Sequence, residues 1–489
     1  MKKMIFLVTL AILFVQCAQK SELELLTPHK EFIDYVTEEN SSIYSVTKSG
    51  NSKPGNDFAI GVFDSGIGGL TVFDAIVNAD FFNEKHENRP DRQKDFLHEQ
   101  FVYLADQANM PYSNYVEEGK KDLLVEHVLK DVLFLLNNKY HISAGSPEVA
   151  SDKPDVKAIV IACNTATAYA KPQADELSRV SGKGIKVIGV IDAGCKGALE
   201  VIEKEENATV AVFATPATVA SGAYVNTLNE LKKGYTGNLQ IIQQGGKGLA
   251  ESIDNKPDYI NRNYTKPYPE YQGPALNNGK YPIEKQLLPY YNFDITNHRI
   301  LFNKNTLALS DTIELNSVEN YTRYHIVSLA EQVRKDKTGI PLKAIILGCT
   351  HYPYVSDDIH DVLRELKKTE RYSHLLADSV YLIDPALNTA KELYVYLAEQ
   401  ELFNDAQKER LNESRFFLTV PNVFEPDVET GSDNRFTYEY QYKRREINEL
   451  KDFTLIVPFS DERISVEQIN MIQTRLPATY DLLKNHLRQ

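Results

Sequence analysis

The chain is predicted to fold as an α/β protein of two similar open-sheet domains, and three features of its 489 residues predict it. The stretches Lys157-Ala158-Ile159-Val160-Ile161-Ala162-Cys163-Asn164-Thr165 and Lys343-Ala344-Ile345-Ile346-Leu347-Gly348-Cys349-Thr350-His351 are near copies. Each is a short apolar run suited to a buried parallel strand, reaches a cysteine, and passes into polar residues that open a helix. Upstream of each lies another β-run entering a loop of small residues: Phe58 to Asp64 before Ser65-Gly66-Ile67-Gly68-Gly69, and Ala208 to Ala214 before Thr215-Pro216-Ala217-Thr218. The same elements in the same order, twice, point to duplication of an α/β half-molecule. Asp64 and Cys163 are 99 residues apart and Ala214 and Cys349 are 135 apart, so the second half carries 36 more.

At the start of the chain, Lys2 and Lys3 precede an apolar run from Met4 to Val15, a length that suits an export signal and not a membrane span. Cys17 follows closely, and the segment resembles the lipobox of bacterial lipoproteins, although Gln16 stands where a small residue is usual. Residues 1–17 are therefore expected to be a lipoprotein-like signal with Cys17 as the lipidated residue; an ordinary secretory signal or a misread start is the alternative. Residues 18–57 are mostly polar, close on Ser52-Lys53-Pro54-Gly55, and are expected to be a tether.

The first domain is expected to combine residues 58–186 with 385–489, and the second to span 187–384. In the first, the strand ending at Asp64, the glycine-rich loop and a helix from Leu70 to Phe82 form a βα unit whose loop offers backbone N–H groups to an anion. It lacks the Gly-x-Gly-x-x-Gly spacing of a dinucleotide site. Phe101 to Asp106 is a further strand, and the Met110-Pro111-Tyr112-Ser113 loop after it can supply backbone donors. In the second domain an insertion is expected near residues 255–320. Its 255–300 portion, rich in Asn, Pro and Tyr, shows neither helical nor strand periodicity and is predicted to be a surface loop, with capping of a site as the alternative. Phe416 to Pro421 as a strand and Ser465 to Leu487 as a helix broken near Pro477 complete the first domain.

The 54 basic against 68 acidic residues give a net charge of −14, which argues against nucleic acid or an anionic membrane surface as partner. No metal-ligand spacing is visible, and membrane association is expected only through Cys17. With that residue set aside, Cys163, Cys195 and Cys349 remain, an odd number that rules out a fully paired disulfide framework. Free thiols are a liability in an oxidising compartment, so buried functional sulfur explains them better, with Cys195 as core. Ligands of open α/β sheets bind beyond the carboxyl ends of the strands. Asp64, Ser65, Cys163, Asn164, Thr165, Cys349, Thr350 and His351 are thus expected to converge on an active site in the cleft between the domains. Two thiols at equivalent strand ends suit two-base proton transfer, because inversion at carbon needs a donor and an acceptor on opposite faces. A helix N-terminus after each cysteine favours its thiolate.

Taken together, several motifs resemble glutamate racemase, within the wider aspartate/glutamate racemase group. They are Gly61-Val62-Phe63-Asp64-Ser65-Gly66-Ile67-Gly68-Gly69-Leu70, Asp106 with Pro111-Tyr112, Ala162-Cys163-Asn164-Thr165-Ala166, Val187-Ile188-Gly189-Val190-Ile191, Ser221-Gly222-Ala223-Tyr224, Leu347-Gly348-Cys349-Thr350-His351-Tyr352-Pro353 and Leu382-Ile383-Asp384-Pro385. The resemblance implies an amino-acid racemase that needs no cofactor and interconverts L- and D-glutamate. Cys163 would act on the D- and Cys349 on the L-enantiomer, with Asp64 and His351 assisting the thiols. It further implies substrate contacts at Ser65, Asn164, Thr165, Thr218 and Thr350, and a carboxylate held by the backbone of Tyr112 and Ser113 after Pro111. A homodimer is the family's common state.

Two departures bear on substrate: Ser113 replaces the family's glycine, and Gly245-Gly246-Lys247-Gly248 stands where the family has Ala-Cys-Pro. The resemblance also allows Glu251 as a further assisting acid, with a plain surface glutamate as the alternative. Aspartate racemase or a related isomerase is the alternative reaction, and a lipid-anchored amino-acid-binding protein without turnover the alternative of another class. The resemblance places D-glutamate supply for the cell wall in the cytoplasm. The N-terminus instead implies a lipid-anchored protein of the cell envelope facing the periplasm or exterior, unless that N-terminus is misread.

Overall fold

The computed structural model describes residues 24–38, 42–46, 53–405, 408–432, 434–460, 464, 466–484 and 486–487; the expectation of a lipidated Cys17 lies outside them. The strands in chain order are β1 (Ala59–Asp64), β2 (Phe101–Ala105), β3 (Tyr140–Ser143), β4 (Ser146–Ala150), β5 (Val156–Ile161), β6 (Lys186–Gly189), β7 (Ala208–Ala214), β8 (Leu239–Gly245), β9 (Ile300–Phe302), β10 (Ile313–Leu315), β11 (Leu342–Gly348), β12 (Leu376–Ile383), β13 (Arg415–Pro421) and β14 (Thr454–Pro458). They form a six-stranded sheet in the order β14-β13-β2-β1-β5-β6, a four-stranded sheet in the order β12-β11-β7-β8, and the hairpins β3–β4 and β9–β10. Two compact units result, Met1–Val190 with Thr389–Gln489, and Ile191–Asn388. Among the described residues no helix is long and apolar enough to cross a membrane.

In the first unit β1 and β5 are buried along their whole length, as apolar runs require of central parallel strands, and the one charged residue in β5, Lys157, pairs with Glu99 at 2.6 Å. β1 pairs in parallel with β2 and β5, so Phe63 lies beside both Leu104 and Ile161 and the carboxyl ends of all three strands share one edge. β13 continues the parallel array beside β2, and β14 closes it antiparallel. The helix Lys121–Leu136, buried from Leu123 onward, and the helix Asn164–Val180 pack on this sheet through a core containing Phe63, Leu129, Leu133, Ile159 and Ile161. The helix after the glycine-rich loop ends at Val77, short of the expected Phe82, because the Asp95 carboxylate accepts the N–H groups of Phe81 and Phe82 and draws them into a loop.

The tether expectation fails for the described parts of residues 18–57. A helix, Lys30–Thr37, buries Phe32 and Val36, and Ile43, Tyr44 and Val46 are buried after it. Asn448 binds this segment at two points, donating to Pro28 O at 2.8 Å and accepting from Phe32 N at 3.3 Å. The few apolar residues are diluted by polar ones, which hides their helical spacing in an average composition.

In the second unit β7 pairs in parallel with β11 and β8, with Ala214 opposite both Gly348 and Gly245. β7 and β11 are thus the counterparts of β1 and β5, each pair adjacent and parallel. The insertion is not a surface excursion. Tyr259, Tyr268 and Tyr291 are buried, β9 and β10 pair antiparallel, and Tyr259, Tyr291, Ile300 and Ile313 join the core that holds Ile345 and Leu347 of β11. Aromatic residues with satisfied hydroxyls build that core without regular periodicity: the Tyr321 hydroxyl donates to Tyr259 O at 3.0 Å.

Phe32→Ala should cost about 3 kcal/mol through the lost ring and the cavity left behind, seen as a lower urea midpoint for the first unit. An unchanged midpoint would mean that this helix contributes nothing to the unit's stability.

Candidate active site

Asp64 ends β1 and is buried, yet its carboxylate is well supplied: Oδ2 accepts from Gly66 N at 3.1 Å and from Gly69 N at 2.9 Å. A Cβ at Gly69 would stand 2.4 Å from Asp64 Cβ, so only glycine permits this approach. Burial raises the Asp64 carboxyl to about 6 against the opposing pull of these N–H donors. Cys163 follows β5 and caps the helix Asn164–Val180, its Sγ accepting from Ala166 N at 3.4 Å. The thiol lies 3.6 Å from Ser65 Oγ. Burial, and after it the charge of Asp64, pushes the thiol up to about 12. The expectation that the helix terminus sets the ionisation of Cys163 is thereby corrected. The terminus contributes one weak N–H···S bond, and desolvation outweighs it.

Asp64, Ser65, Cys163, Asn164 and Thr165 therefore gather at the carboxyl edge of the first unit's sheet. Asn164 and Thr165 are half-buried at the start of their helix, and the Cys163 carbonyl accepts from Thr167 Oγ1 at 2.9 Å. Pro111 is exposed, Tyr112 buried and Ser113 half-buried. Tyr112 Oη stands 2.6 Å from Asp106 Oδ2 and 2.8 Å from Asp131 Oδ2. A hydroxyl has one proton to give, so one of these carboxyls carries a proton of its own. Burial raises both carboxyls, and the charge of Asp106 adds to the rise at Asp131.

The second unit builds its own cluster at the corresponding edge. Cys349, after β11, is buried, with His351 Nδ1 3.8 Å from its Sγ and 3.5 Å from Thr350 Oγ1. On the other side of the ring, Nε2 lies 3.2 Å from Asp254 Oδ1. Burial acts to lower the His351 pKa, but hydrogen bonds to Asp254 and then to Cys349 outweigh it and raise the imidazole to about 10. Thr218 is buried in the short helix Pro216–Ser221 after β7, where its N–H donates to the capping Thr215 Oγ1 at 3.3 Å. Gly246 sits under Tyr352, whose hydroxyl donates to Gly246 O at 3.2 Å; a Cβ there would fall 2.0 Å from that hydroxyl.

The sequence missed Asp254. Glu251, offered as a further assisting acid, stands one helical turn before it, and it is Asp254 that pairs with His351. Nothing in Leu249-Ala250-Glu251-Ser252-Ile253-Asp254 distinguishes the two acids until the helix ends at Ile253 and turns the chain. Asp131 was hidden too, as one acid within an otherwise apolar helix. Cys195 is core, fully buried with Sγ 3.7 Å from Tyr224 O. Among the described residues no group of three or more His, Cys, Asp or Glu side chains could hold a metal ion.

Two parallel sheets, each with a buried thiol beside a titratable partner at its carboxyl edge, define an α/β protein equipped for acid–base chemistry. No family model matches the chain. Among curated proteins it is 30% identical over 342 residues to the glutamate racemase of Limosilactobacillus fermentum, covering 70% of this chain and 81% of that one. It is 26% identical over 345 residues to the glutamate racemase of Clostridium novyi, covering 71% and 85%. Among solved structures, glutamate racemase from Francisella tularensis in complex with D-glutamate aligns over 81% of this chain and 99% of its own at 22% identity, with a TM-score of 0.41. The chain belongs to the glutamate racemase family.

His351 should titrate near 10 by NMR, and Asp254→Asn should lower that value by more than about one unit. An unmoved titration would mean that the Asp254 contact does not set the charge of the ring.

Proposed function

We propose that this protein is an isomerase that interconverts L- and D-glutamate without a cofactor, by proton transfer at the α-carbon between two cysteines. The observation that carries the reading is the repeated one: a buried cysteine at the end of β5, with Asp64 and Ser65 around it, and a second at the end of β11, with His351 against it. Membership of the glutamate racemase family supports the substrate.

Inversion requires a base on one face of the α-carbon and an acid on the other, and Cys163 and Cys349 are assigned these roles. Their surroundings divide the labour. Cys163, pushed up to about 12, holds its proton in the resting protein and is the acid. His351, protonated up to about 10, places a positive charge 3.8 Å from Cys349 Sγ. For L-glutamate, Cys349 is assigned the base that removes the α-proton and Cys163 the acid that delivers one. In the reverse direction, Asp64 beside Cys163 is the group that relieves the thiol of its proton. Ser65, Asn164, Thr165, Thr218 and Thr350 are assigned to the substrate's polar groups, and the Tyr112–Ser113 backbone to its side-chain carboxylate.

Cys17 is assigned as a lipidated residue that holds the protein at the outer face of a membrane, on the strength of the sequence alone. Mass spectrometry of the mature N-terminus tests it: an unmodified Met1 or a free Cys17 would remove the anchor.

Circular dichroism of L- and D-glutamate with the purified protein tests the reaction. The signal of either enantiomer should decay with wild type, and Cys163→Ser and Cys349→Ser should each slow the decay by about 10²-fold or more. A wild type inactive on both enantiomers would sink the substrate assignment. The pH profile follows from the two assisting groups. Below about 6 Asp64 is protonated, so kcat/KM should rise as pH passes that value; above about 10 His351 loses its charge, so it should fall again. Asp64→Asn should abolish the acid limb and leave the alkaline one.

A further inference from the structure

The C-terminal part of the chain holds the loop that follows β2. Tyr442 donates its hydroxyl to Met110 O at 3.0 Å, with Pro111 O next at 3.4 Å. Gln441 Nε2 lies 3.4 Å from Met110 O and 3.2 Å from Tyr115 Oη. Arg445, almost wholly buried, donates from Nη1 to Asn109 Oδ1 at 2.9 Å. Its guanidinium packs over the rings of Phe436 and Phe453 at 5.1 and 5.4 Å. Three side chains within one turn thus reach consecutive parts of a loop more than three hundred residues away in sequence.

We propose that Gln441 and Tyr442 are positioning residues that aim the Tyr112 N–H group and so set the affinity for the substrate's side-chain carboxylate; this rests on the racemase reading above. The physical link is the planarity of the peptide group. Pro111 C=O and Tyr112 N–H belong to one rigid plane, so whatever restrains the carbonyl on one side aims the N–H on the other. Met110 O lies one plane earlier and fixes the approach to Pro111. The Tyr112 side chain cannot aim this backbone alone, since its hydroxyl is committed to Asp106 and Asp131. Tyr442 has packing of its own, its ring 4.7 Å from that of Tyr115, so removing the hydroxyl leaves the ring in place. Catalysis at the α-carbon does not pass through these residues. Their loss should therefore weaken substrate binding and spare the chemical step.

The test is steady-state kinetics of Tyr442→Phe and, independently, Gln441→Met in the full protein with both glutamate enantiomers. KM should rise about fivefold, the worth of one hydrogen bond, with kcat within about twofold. The two enantiomers have equal free energies, so kcat/KM must fall by the same factor in both directions, which checks the data internally. An unchanged KM in both variants, or a loss confined to kcat, would overturn the proposal while leaving the racemase reading intact. A wild type that neither racemises glutamate nor exchanges its α-hydrogen would overturn both. Gln441→Met carries the decision if Tyr442→Phe does not fold.

Discussion

The carboxylate of Asp64 is the contact on which the first unit's chemistry depends. It closes the glycine-rich turn after β1 by accepting from Gly66 and Gly69 N–H, and it does so beside the sulfur of Cys163. Parallel pairing makes this possible. β1 lies between β2 and β5, so the backbone beyond β1 is hydrogen-bonded on both sides: Asp64 O accepts from Asp106 N at 2.8 Å, and Phe63 O accepts from Ala162 N at 2.8 Å. The turn, the loop after β2 and the cysteine after β5 are therefore fixed against one another by the sheet, with no need for a dedicated scaffold. The second unit repeats the device with a different charge. There the strand end carries an imidazole held by Asp254 in place of a carboxylate held by backbone.

That difference gives the two thiols unlike surroundings within a duplicated architecture. A buried acid beside Cys163 makes removal of its proton costly, because a second negative charge in a desolvated place is opposed. Beside Cys349 stands the His351 imidazole instead of an acid. For a reaction whose substrate and product are mirror images, the chemistry is symmetric while the protein is not. The asymmetry leaves the equilibrium between the enantiomers untouched.

The strands that carry this chemistry were legible in sequence because they are almost wholly buried. β1, β5, β7 and β11 are mostly apolar runs, with Lys157, Thr209 and Lys343 near their starts, and each ends at a cysteine or a small-residue loop. What could not be read depended on contacts between distant segments. Phe32 looks like a stray apolar residue until Asn448 and the buried Lys130–Glu126 pair, 2.9 Å apart, meet it. The tyrosines of the insertion look like a surface loop until Tyr321 accounts for the Tyr259 carbonyl. Asp254 and Glu251 are chemically near-equivalent in sequence, and the geometry of one helix end separates them. Burial also reversed an electrostatic inference, since a helix N-terminus beside Cys163 is a weaker influence than the loss of water around the thiol.

The order in which the units are completed during synthesis follows from the interrupted course of the chain. The second unit is one continuous stretch, finished once Asn388 has been made. The first is begun before it and closed after it, because β13 must still insert between β2 and β14. Until Pro421 emerges, β2, with its sequence Phe101-Val102-Tyr103-Leu104-Ala105, has an open edge of apolar residues that are buried in the finished protein. Exposed strand edges of this kind recruit other chains. The nascent protein thus passes through a stage in which its later-made half is folded and its earlier-made half is an adhesive sheet, and a chaperone that shields β2 would have its work confined to that interval.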